Sequence, residues 1–232
     1  MGDSGSTTIV RIENQALQRA EAERHLAAGH RLQFVDCPME ENDFSGLDLS
    51  GSSFERCMLT RAVFDDASLE SARFVSCRGS FASFIDADLT EAVFSDSDFA
   101  NANFRRATLT HASIRSCKML GVDFSDIKAI TMDLQDVGMA LAKLPGLSFR
   151  KARLTGVDFS EADLHDCDFR EAIFQKSSLR DANLVGCRFT NADLRGADLG
   201  GLRLNDARLF KGAMISRDQA AELLGQMGLR IG

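Results

Sequence analysis

Large apolar residues recur at every fifth position between Phe34 and Met214. Of the 37 positions in this phase, only Gly79 and Ala129 hold small residues, and 15 of the 17 Phe lie in it. A period of five fits neither the 3.6-residue period of an α-helix nor the two-residue period of a strand. The pattern therefore predicts a tandem repeat rather than a succession of ordinary helices and strands.

A second inward position lies two residues before each large apolar residue. It is usually small: 17 Ala and six Cys occupy it among the 37 repeats. Residues 87–91, Ala-Asp-Leu-Thr-Glu, show the consensus almost unaltered. Two inward positions in every five require a bend at each pentapeptide, and like residues recur at spacings of twenty. One such column is Phe44, Phe64, Phe84, Phe104 and Phe124.

This motif resembles the pentapeptide-repeat family and covers about four-fifths of the chain without a shift of phase. The resemblance implies an all-β fold, a right-handed quadrilateral parallel β-helix with four pentapeptides in each coil. The repeat region is long enough for about nine coils. At a separation of ~4.8 Å, these coils would make a rod on the order of 43 Å long.

The two ends depart from the repeat. Within residues 1–30 we expect a disordered Gly/Ser/Thr tail up to residue 10 and a capping helix over residues 13–28. The residues of the predicted helix are rich in strong helix formers. Residues 31–214 form the predicted solenoid. Residues 215–232 predict a C-terminal helix with Ser216 as its N-cap.

The repeat is weakest near residues 127–147. Ala129 is small for a central position, and Ile127, Met132 and Leu147 are large for the small one. The sequence predicts either a distorted coil or a protruding loop here. Beyond this stretch the Phe residues change column, which suggests that some residues are looped out of the stack.

The chain shows no pattern of an enzyme. All six Cys lie at the small inward position, which predicts buried, reduced thiols rather than disulfides or metal ligands. The four His have no partner at ligand or triad spacing, and no phosphate-binding glycine loop occurs. We expect no catalytic residue, no metal and no cofactor. No apolar run is long enough to cross a membrane and no secretory signal is visible, so we expect a cytoplasmic protein.

Charge is unevenly distributed along the chain. Residues 36–104 carry 14 acidic and 4 basic side chains, a net of -10, whereas residues 105–232 carry 16 and 19, a net of +3. This argues against direct nucleic-acid binding by the first half and favours a basic partner. The alternative is that the acidity only keeps an edge-rich solenoid soluble.

Two segments are similar to the Qnr and MfpA group of this family: residues 114–124 with the irregular stretch after them, and the ending 218–232. The resemblance implies a DNA-mimicking protein that protects type II topoisomerases, DNA gyrase or topoisomerase IV, from quinolones or natural-product poisons. Its role would be antibiotic resistance or self-immunity of a producer. The acidic residues expected to face a basic groove are Asp86, Asp88, Glu91, Asp96 and Asp98.

The same resemblance implies a protection loop and a homodimer joined by the C-terminal helix. By position, residues 127–146 are the candidate loop, with Ile127, Met132, Asp133, Asp136, Met139, Leu144 and Pro145. The candidate dimer helix presents Ala220, Leu223, Leu224 and Met227. The alternative function is a structural adaptor whose flat faces bind an unrelated protein.

Overall fold

The computed structural model describes residues 8–202 and 208–229, which contain ten strands and two helices. Most strands span three residues, and from β2 onward they recur every twenty. The elements are β1 (Ile9–Glu13), α1 (Arg19–Ala27), β2 (Arg31–Val35), β3 (Ser53–Glu55), β4 (Arg73–Val75), β5 (Val93–Ser95), β6 (Ser113–Arg115), β7 (Asp133–Gln135), β8 (Arg153–Thr155), β9 (Ile173–Ser178), β10 (Asp193–Asp198) and α2 (Arg217–Gly225).

The chain is a four-sided parallel β-solenoid. Strands β1 to β10 form one parallel sheet in sequence order, with Phe34 opposite Phe54 and Phe54 opposite Phe74. The other three sides are held by single parallel bridges between residues twenty apart, such as Asp43 with Val63 and Asp48 with Ser68. We number the sides in chain order: face 1 carries the strands, and faces 2, 3 and 4 begin with the pentapeptides centred on Met39, Phe44 and Leu49.

The predicted inward columns form the core. The rings of Phe64 and Phe84 stack at 5.0 Å between centroids, and those of Phe84 and Phe104 at 4.7 Å. The Phe74 ring of the neighbouring column meets Phe84 edge-on at 5.8 Å. All four side chains are fully buried. Stacked and edge-on contacts of this kind add to the stabilisation from burial.

The six cysteines are buried, as predicted, and none is bonded to another. Their thiols donate to backbone carbonyls, for example Cys167 Sγ to Leu144 O at 3.0 Å. Ser177 fills the same position with the same kind of bond, to Leu154 O at 3.1 Å. Burial raises the pKa of Cys117 to about 11 and that of Cys167 to about 12. These thiols therefore stay protonated near neutral pH.

The N-terminus begins earlier in the fold than the sequence suggested. Ile9 and Val10, assigned to the disordered tail, lie in β1, which pairs with β2. Ile12 of this strand is 3% exposed, and its burial in the core accounts for the ordered segment. Residues 1–7 lie outside the described ranges. The chain leaves β1 through Asn14, whose φ of 54° is not helical, and α1 begins only at Arg19. The helix is therefore shorter than the one predicted over residues 13–28.

The irregular stretch is a distorted coil, and the alternative prediction of a protruding loop is wrong. Bridges join Thr108 to Lys128 and Asp123 to Lys143, so the stacking period of twenty runs through it. The change of Phe column is therefore not caused by looped-out residues. Phe149 and Phe169 stack at 5.2 Å in the same column as Ala129, and only the residue type at that column changes.

At the C-terminus α2 covers the open edge of the solenoid. Ser216 is its N-cap, as predicted, and forms a capping box with Gln219. The Gln219 side-chain amide donates to Leu194 O at 2.8 Å and to Ala197 O at 2.7 Å. These bonds satisfy carbonyls of the last turn that no further coil would pair. Over the described ranges, no helix has the length and apolar character needed to cross a membrane.

Candidate functional site

Faces 3 and 4 of the first half carry a continuous acidic surface. In residues 43–51, 63–71 and 83–91, which form these faces in three successive coils, there is no Lys or Arg. Because the coils stack in register, these segments lie directly above one another. We define the acidic surface by the eight carboxylates in these segments: Asp43, Asp48, Asp65, Asp66, Glu70, Asp86, Asp88 and Glu91.

The four arginines within residues 36–104 lie on the other two faces. Arg56 pairs with Asp36 through Nε to Oδ1 at 2.7 Å, and Arg61 lies 3.5 Å from Glu41. Each pair joins adjacent coils along a corner of the solenoid. Arg73 and Arg78 belong to the same two faces. The fold therefore separates charges that alternate along the sequence, and faces 3 and 4 are left uniformly negative.

Backbone amides hold several of these carboxylates in place. Asp48 accepts from Ser50 N at 3.1 Å, and Asp88 accepts from Thr90 N at 3.0 Å. Asp65 accepts from Ile85 N of the next coil at 3.0 Å. Such bonds fix the side chains without neutralising them, so the surface presents its charge in a set geometry.

Arginines limit the acidic surface at both ends. Arg106 binds Asp86 with two bonds of 2.8 and 2.5 Å, and this hydrogen bonding lowers the pKa of Asp86. At the other end Arg19 of α1 lies 3.4 Å from Asp43. The six carboxylates between these two form no ion pair with the described residues, and they carry most of the negative field.

The structure brings together only part of the predicted acidic set. Asp86, Asp88 and Glu91 belong to the acidic surface, whereas Asp96 lies at the corner between faces 1 and 2 and Asp98 lies on face 2. The members that sequence reasoning missed are Asp43, Asp48, Asp65, Asp66 and Glu70. Grouping residues by the period of twenty, rather than by nearness in sequence, would have found them.

The residues assigned to a protection loop do not form one surface. Met139 and Leu144 are fully buried, and Ile127 is 9% exposed. Asp133 and Asp136 are exposed, and Asp133 pairs with Arg115. The buried members are core residues of the solenoid and cannot contact a partner. The remaining two assigned residues, Met132 and Pro145, are partly exposed.

The candidate dimer helix lies at an apolar end of the rod. No residue of α2 is fully buried, and Ala220, Leu223 and Leu224 are half-buried. Met227 is 58% exposed, with Met214 at 51% and Leu229 at 52% nearby in the sequence. The residues that flank α2 therefore expose apolar surface to water at this end of the rod.

The described residues include no group of His, Cys, Asp and Glu that could hold a metal ion. His165 Nδ1 donates to Asp163 Oδ1 at 2.8 Å, and this hydrogen bond raises the pKa of His165. Both side chains are partly exposed on face 3, so the pair stabilises the surface of the coil.

Comparison with known proteins agrees with this architecture. The sequence has no significant match among curated proteins. The solved structure of a trypsin-treated variant of QnrB1, a plasmid-mediated fluoroquinolone resistance protein, is similar over 96% of this chain and 100% of its own, with TM-score 0.73 and 19% identity. Full-length QnrB1 is similar over 97% and 99%, with TM-score 0.68 and 17% identity. At these identities the likeness is one of fold.

The family model for pentapeptide repeats matches residues 43–78, 80–126, 142–170 and 172–209. Its first gap is Gly79, and its longest gap covers most of the distorted coil. The matched segments make up well over half of the chain. The protein belongs to the pentapeptide-repeat family.

Proposed function

We propose that this protein is a non-enzymatic DNA mimic that binds a type II topoisomerase, DNA gyrase first, and protects it from quinolones or natural-product poisons. The observation that carries the proposal is the acidic surface on faces 3 and 4. A topoisomerase holds DNA in a basic groove, and a complementary surface is attracted to such a groove. Topoisomerase IV is the second candidate partner.

The charge density of the acidic surface supports mimicry. Three coils advance ~14 Å along the axis. Eight carboxylates over that length give about one negative charge per 1.8 Å, against about 1.7 Å for duplex DNA. Without Asp43 and Asp86, which have arginine partners, the spacing is about one charge per 2.4 Å. Ordinary acidic surfaces have charges of both signs interspersed, whereas this one contains no Lys or Arg.

The likeness to QnrB1 supports the same proposal at the level of shape. That protein is a fluoroquinolone resistance protein, and its full length aligns with nearly all of this chain. Fold alone does not determine function, so the acidic surface and not the likeness carries the argument.

The proposal includes a homodimer through α2 and a cytoplasmic location, since gyrase acts on chromosomal DNA. Two rods joined at their C-terminal ends would bury Met227 and the half-buried Leu223 and Leu224. The acidic surfaces would then lie toward the two outer ends. The protective role of residues 127–146 stays a prediction of the resemblance. Among the assigned residues, the exposed Asp133 and Asp136 are able to carry it.

An adaptor function is the second candidate, and a specific surface favours it. On face 2, Phe81, Leu120 and Leu141 belong to three of four successive coils and are 56, 44 and 54% exposed. Ala100 and Ala140 lie in the same column as Leu120, whereas Asn101 and Gly121 lie between Phe81 and Leu141 in the adjacent column. An apolar strip along a flat face is typical of a protein-binding surface. This candidate predicts binding to a partner that has no DNA groove.

A supercoiling assay tests the proposal. Purified gyrase, relaxed plasmid and a fluoroquinolone are incubated with increasing amounts of the protein, and cleaved and supercoiled plasmid are quantified. We expect less cleaved DNA and restored supercoiling, together with competition between the protein and linear DNA for gyrase. Absence of gyrase binding, with cleavage unchanged, would reject the topoisomerase proposal and leave the adaptor candidate.

A further inference from the structure

The distorted coil opens a cleft between two coils on the side formed by face 4 and the start of face 1. The cleft has a volume of about 550 Å³ and lies between residues 130–133 on one side and residues 148–154 on the other. Its mouth also includes His111, whose Nδ1 lies 2.7 Å from Thr131 Oγ1. A volume of this size is within the range of ligand-binding clefts.

The cleft exists because two consecutive inward positions, the last of face 4 and the first of face 1, are exchanged in size. Ala129 occupies the central position and Met132 the next small position, and both are partly exposed where the repeat has buried residues. Because Ala129 cannot fill the interior and Met132 cannot fit the narrow site, the backbone moves outward. The amide of His111 bonds to Thr131 O at 2.8 Å, one residue later than the repeat requires.

As a result, the hydrogen-bond ladder is interrupted between these coils. One coil earlier, Leu109 N donates to Lys128 O at 2.7 Å and Lys128 N to Ala107 O at 2.9 Å. At the equivalent positions of the opened coil, the amides of Ala129 and Ser148 make no such bond within the described residues. Strands β7 and β8 are paired only at Gln135 and Thr155. Both edges of the cleft therefore present backbone groups without a strand partner.

The cleft is also positively charged. Arg150, Lys151 and Arg153 line it, and its one acidic residue, Asp133, is already paired with Arg115. Arg150 and Lys151 share a single carboxylate, that of Glu171, at 2.9 and 3.6 Å. Arg153 has no ion-pair partner among the residues that the structure describes. Counting Arg115 and Glu171, four cations face two carboxylates, so the cleft keeps a net charge of +2.

We propose that this cleft binds an extended, acidic peptide segment of a partner protein as an added strand. A strand inserted between the coils would satisfy the free backbone groups of both cleft edges. Its carboxylates would pair with Arg153, Arg150 and Lys151. The interrupted ladder selects for an extended backbone, and the charge selects for acidic side chains. About five residues, or ~17 Å of strand, would fill the opened segment.

The test uses the full-length protein and fluorescein-labelled octapeptides in a fluorescence anisotropy titration. An alternating Glu-Val peptide is the probe, an alternating Lys-Val peptide tests charge, and an alternating Glu-Pro peptide keeps the charge but removes half of the amide donors. We expect Glu-Val to bind at least tenfold more tightly than either of the others. Equal binding of Glu-Pro would show that charge alone acts and would overturn strand addition, and equal binding of Lys-Val would overturn the acidic specificity.

Two variants locate the binding site. Arg153→Gln should weaken Glu-Val binding at least fivefold. Arg73→Gln, which changes an arginine at the same repeat position on β4, should alter it less than twofold. The double variant Ala129→Leu with Met132→Ala restores the repeat, so it should raise the thermal midpoint and abolish binding. Unchanged binding in the restored repeat would overturn the proposal. Complete displacement of the peptide by millimolar inorganic phosphate would assign the cleft to a small anion instead.

Discussion

Gly79 has no side chain because the ring of Phe99, from the next coil, occupies the space beneath it. A Cβ on Gly79 would lie 2.2 Å from Cε1 of Phe99. The Phe99 ring reaches back to Phe74 of the preceding coil, with centroids 5.8 Å apart. One large residue thus fills the central positions of two coils, and the ladder stays closed, with Gly79 N donating to Asp98 O at 2.7 Å.

This relationship predicts a strong coupling between the two positions. Gly79→Ala should destabilise the protein by ~1 to 3 kcal/mol, because the added methyl group overpacks the core. In a Phe99→Leu background the same substitution should cost much less, which gives a coupling free energy of ~0.5 to 3 kcal/mol in a double-mutant cycle. Denaturant titrations of the four proteins measure it. Additive effects would show that Phe99 does not occupy the Gly79 position.

The five-residue phase was enough to predict the solenoid and its Phe columns, but not the state of each irregular coil. Gly79 and Ala129 break the same rule at central positions. The coil at Gly79 stays closed because Phe99 compensates, whereas the coil at Ala129 opens because the adjacent small position holds Met132. The difference depends on which neighbouring side chain can move into the space, and residue spacing does not report this.

The candidate site was predicted in part for a similar reason. The sequence indicates that the first half is acidic, and Asp88 and Glu91 of its predicted set lie on faces 3 and 4, while their role in binding stays a prediction. Asp96 and Asp98 were grouped with them because they are near in sequence. The chain turns a corner onto the next face every five residues, so charges that are close in sequence can lie on different faces. Asp65 and Asp66, one coil away, are the true neighbours.

The buried thiols predict a loss of stability at alkaline pH. Burial raises the pKa of Cys167 and Cys187 to about 12, above the value near 9 of an unfolded thiol. The stabilising contribution is therefore complete below pH 9 and is lost as pH rises toward 12, by up to about 1.4 kcal/mol per thiol for each pH unit. The chain has no Tyr, so the other groups that titrate in this range are its six Lys, the remaining four Cys and the α-amino group.

Urea unfolding between pH 8 and 10.5 measures this dependence. Cys167→Ser and Cys187→Ser together should make the decline shallower, because Ser keeps the bond to the backbone carbonyl but does not ionise. Ser177, which bonds to Leu154 O at 3.1 Å, shows that the position accepts Ser. Identical slopes for the variant and the parent protein would contradict the assignment.

The apolar end of the rod predicts an effect of Met227 on association. Met227 is 58% exposed and lies just beyond α2, so Met227→Asp should leave the solenoid folded while preventing a dimer from burying this surface. Sedimentation velocity at tens of micromolar should give a dimer for the parent protein and a monomer for the variant. Glu222→Gln, at an exposed position within α2, is the control and should remain dimeric. A monomeric parent protein would reject the proposed dimer.

The last prediction tests whether the acidic surface on faces 3 and 4, and not the net negative charge of the protein, governs gyrase binding. Asp88 and Asp98 occupy the same repeat position, and each accepts a backbone hydrogen bond from the residue two further on, at 3.0 and 3.1 Å. Glu91 and Asp96 both lie at corners, with φ of 58° and 52°. The variant Asp88→Asn with Glu91→Gln and the variant Asp98→Asn with Asp96→Asn therefore remove the same charge from equivalent positions on different faces.

Only the first of these variants should impair gyrase binding and protection. Two exposed carboxylates facing a basic groove contribute ~1 kcal/mol each at low ionic strength, so a loss of about tenfold or more in affinity is expected, with a weaker dependence on salt. The second variant should behave like the parent protein, because its charges lie toward faces 1 and 2. Affinity is measured by surface plasmon resonance at two salt concentrations, alongside drug-stabilised cleavage. Equal losses in both variants would mean that net charge, and not the surface on faces 3 and 4, governs recognition.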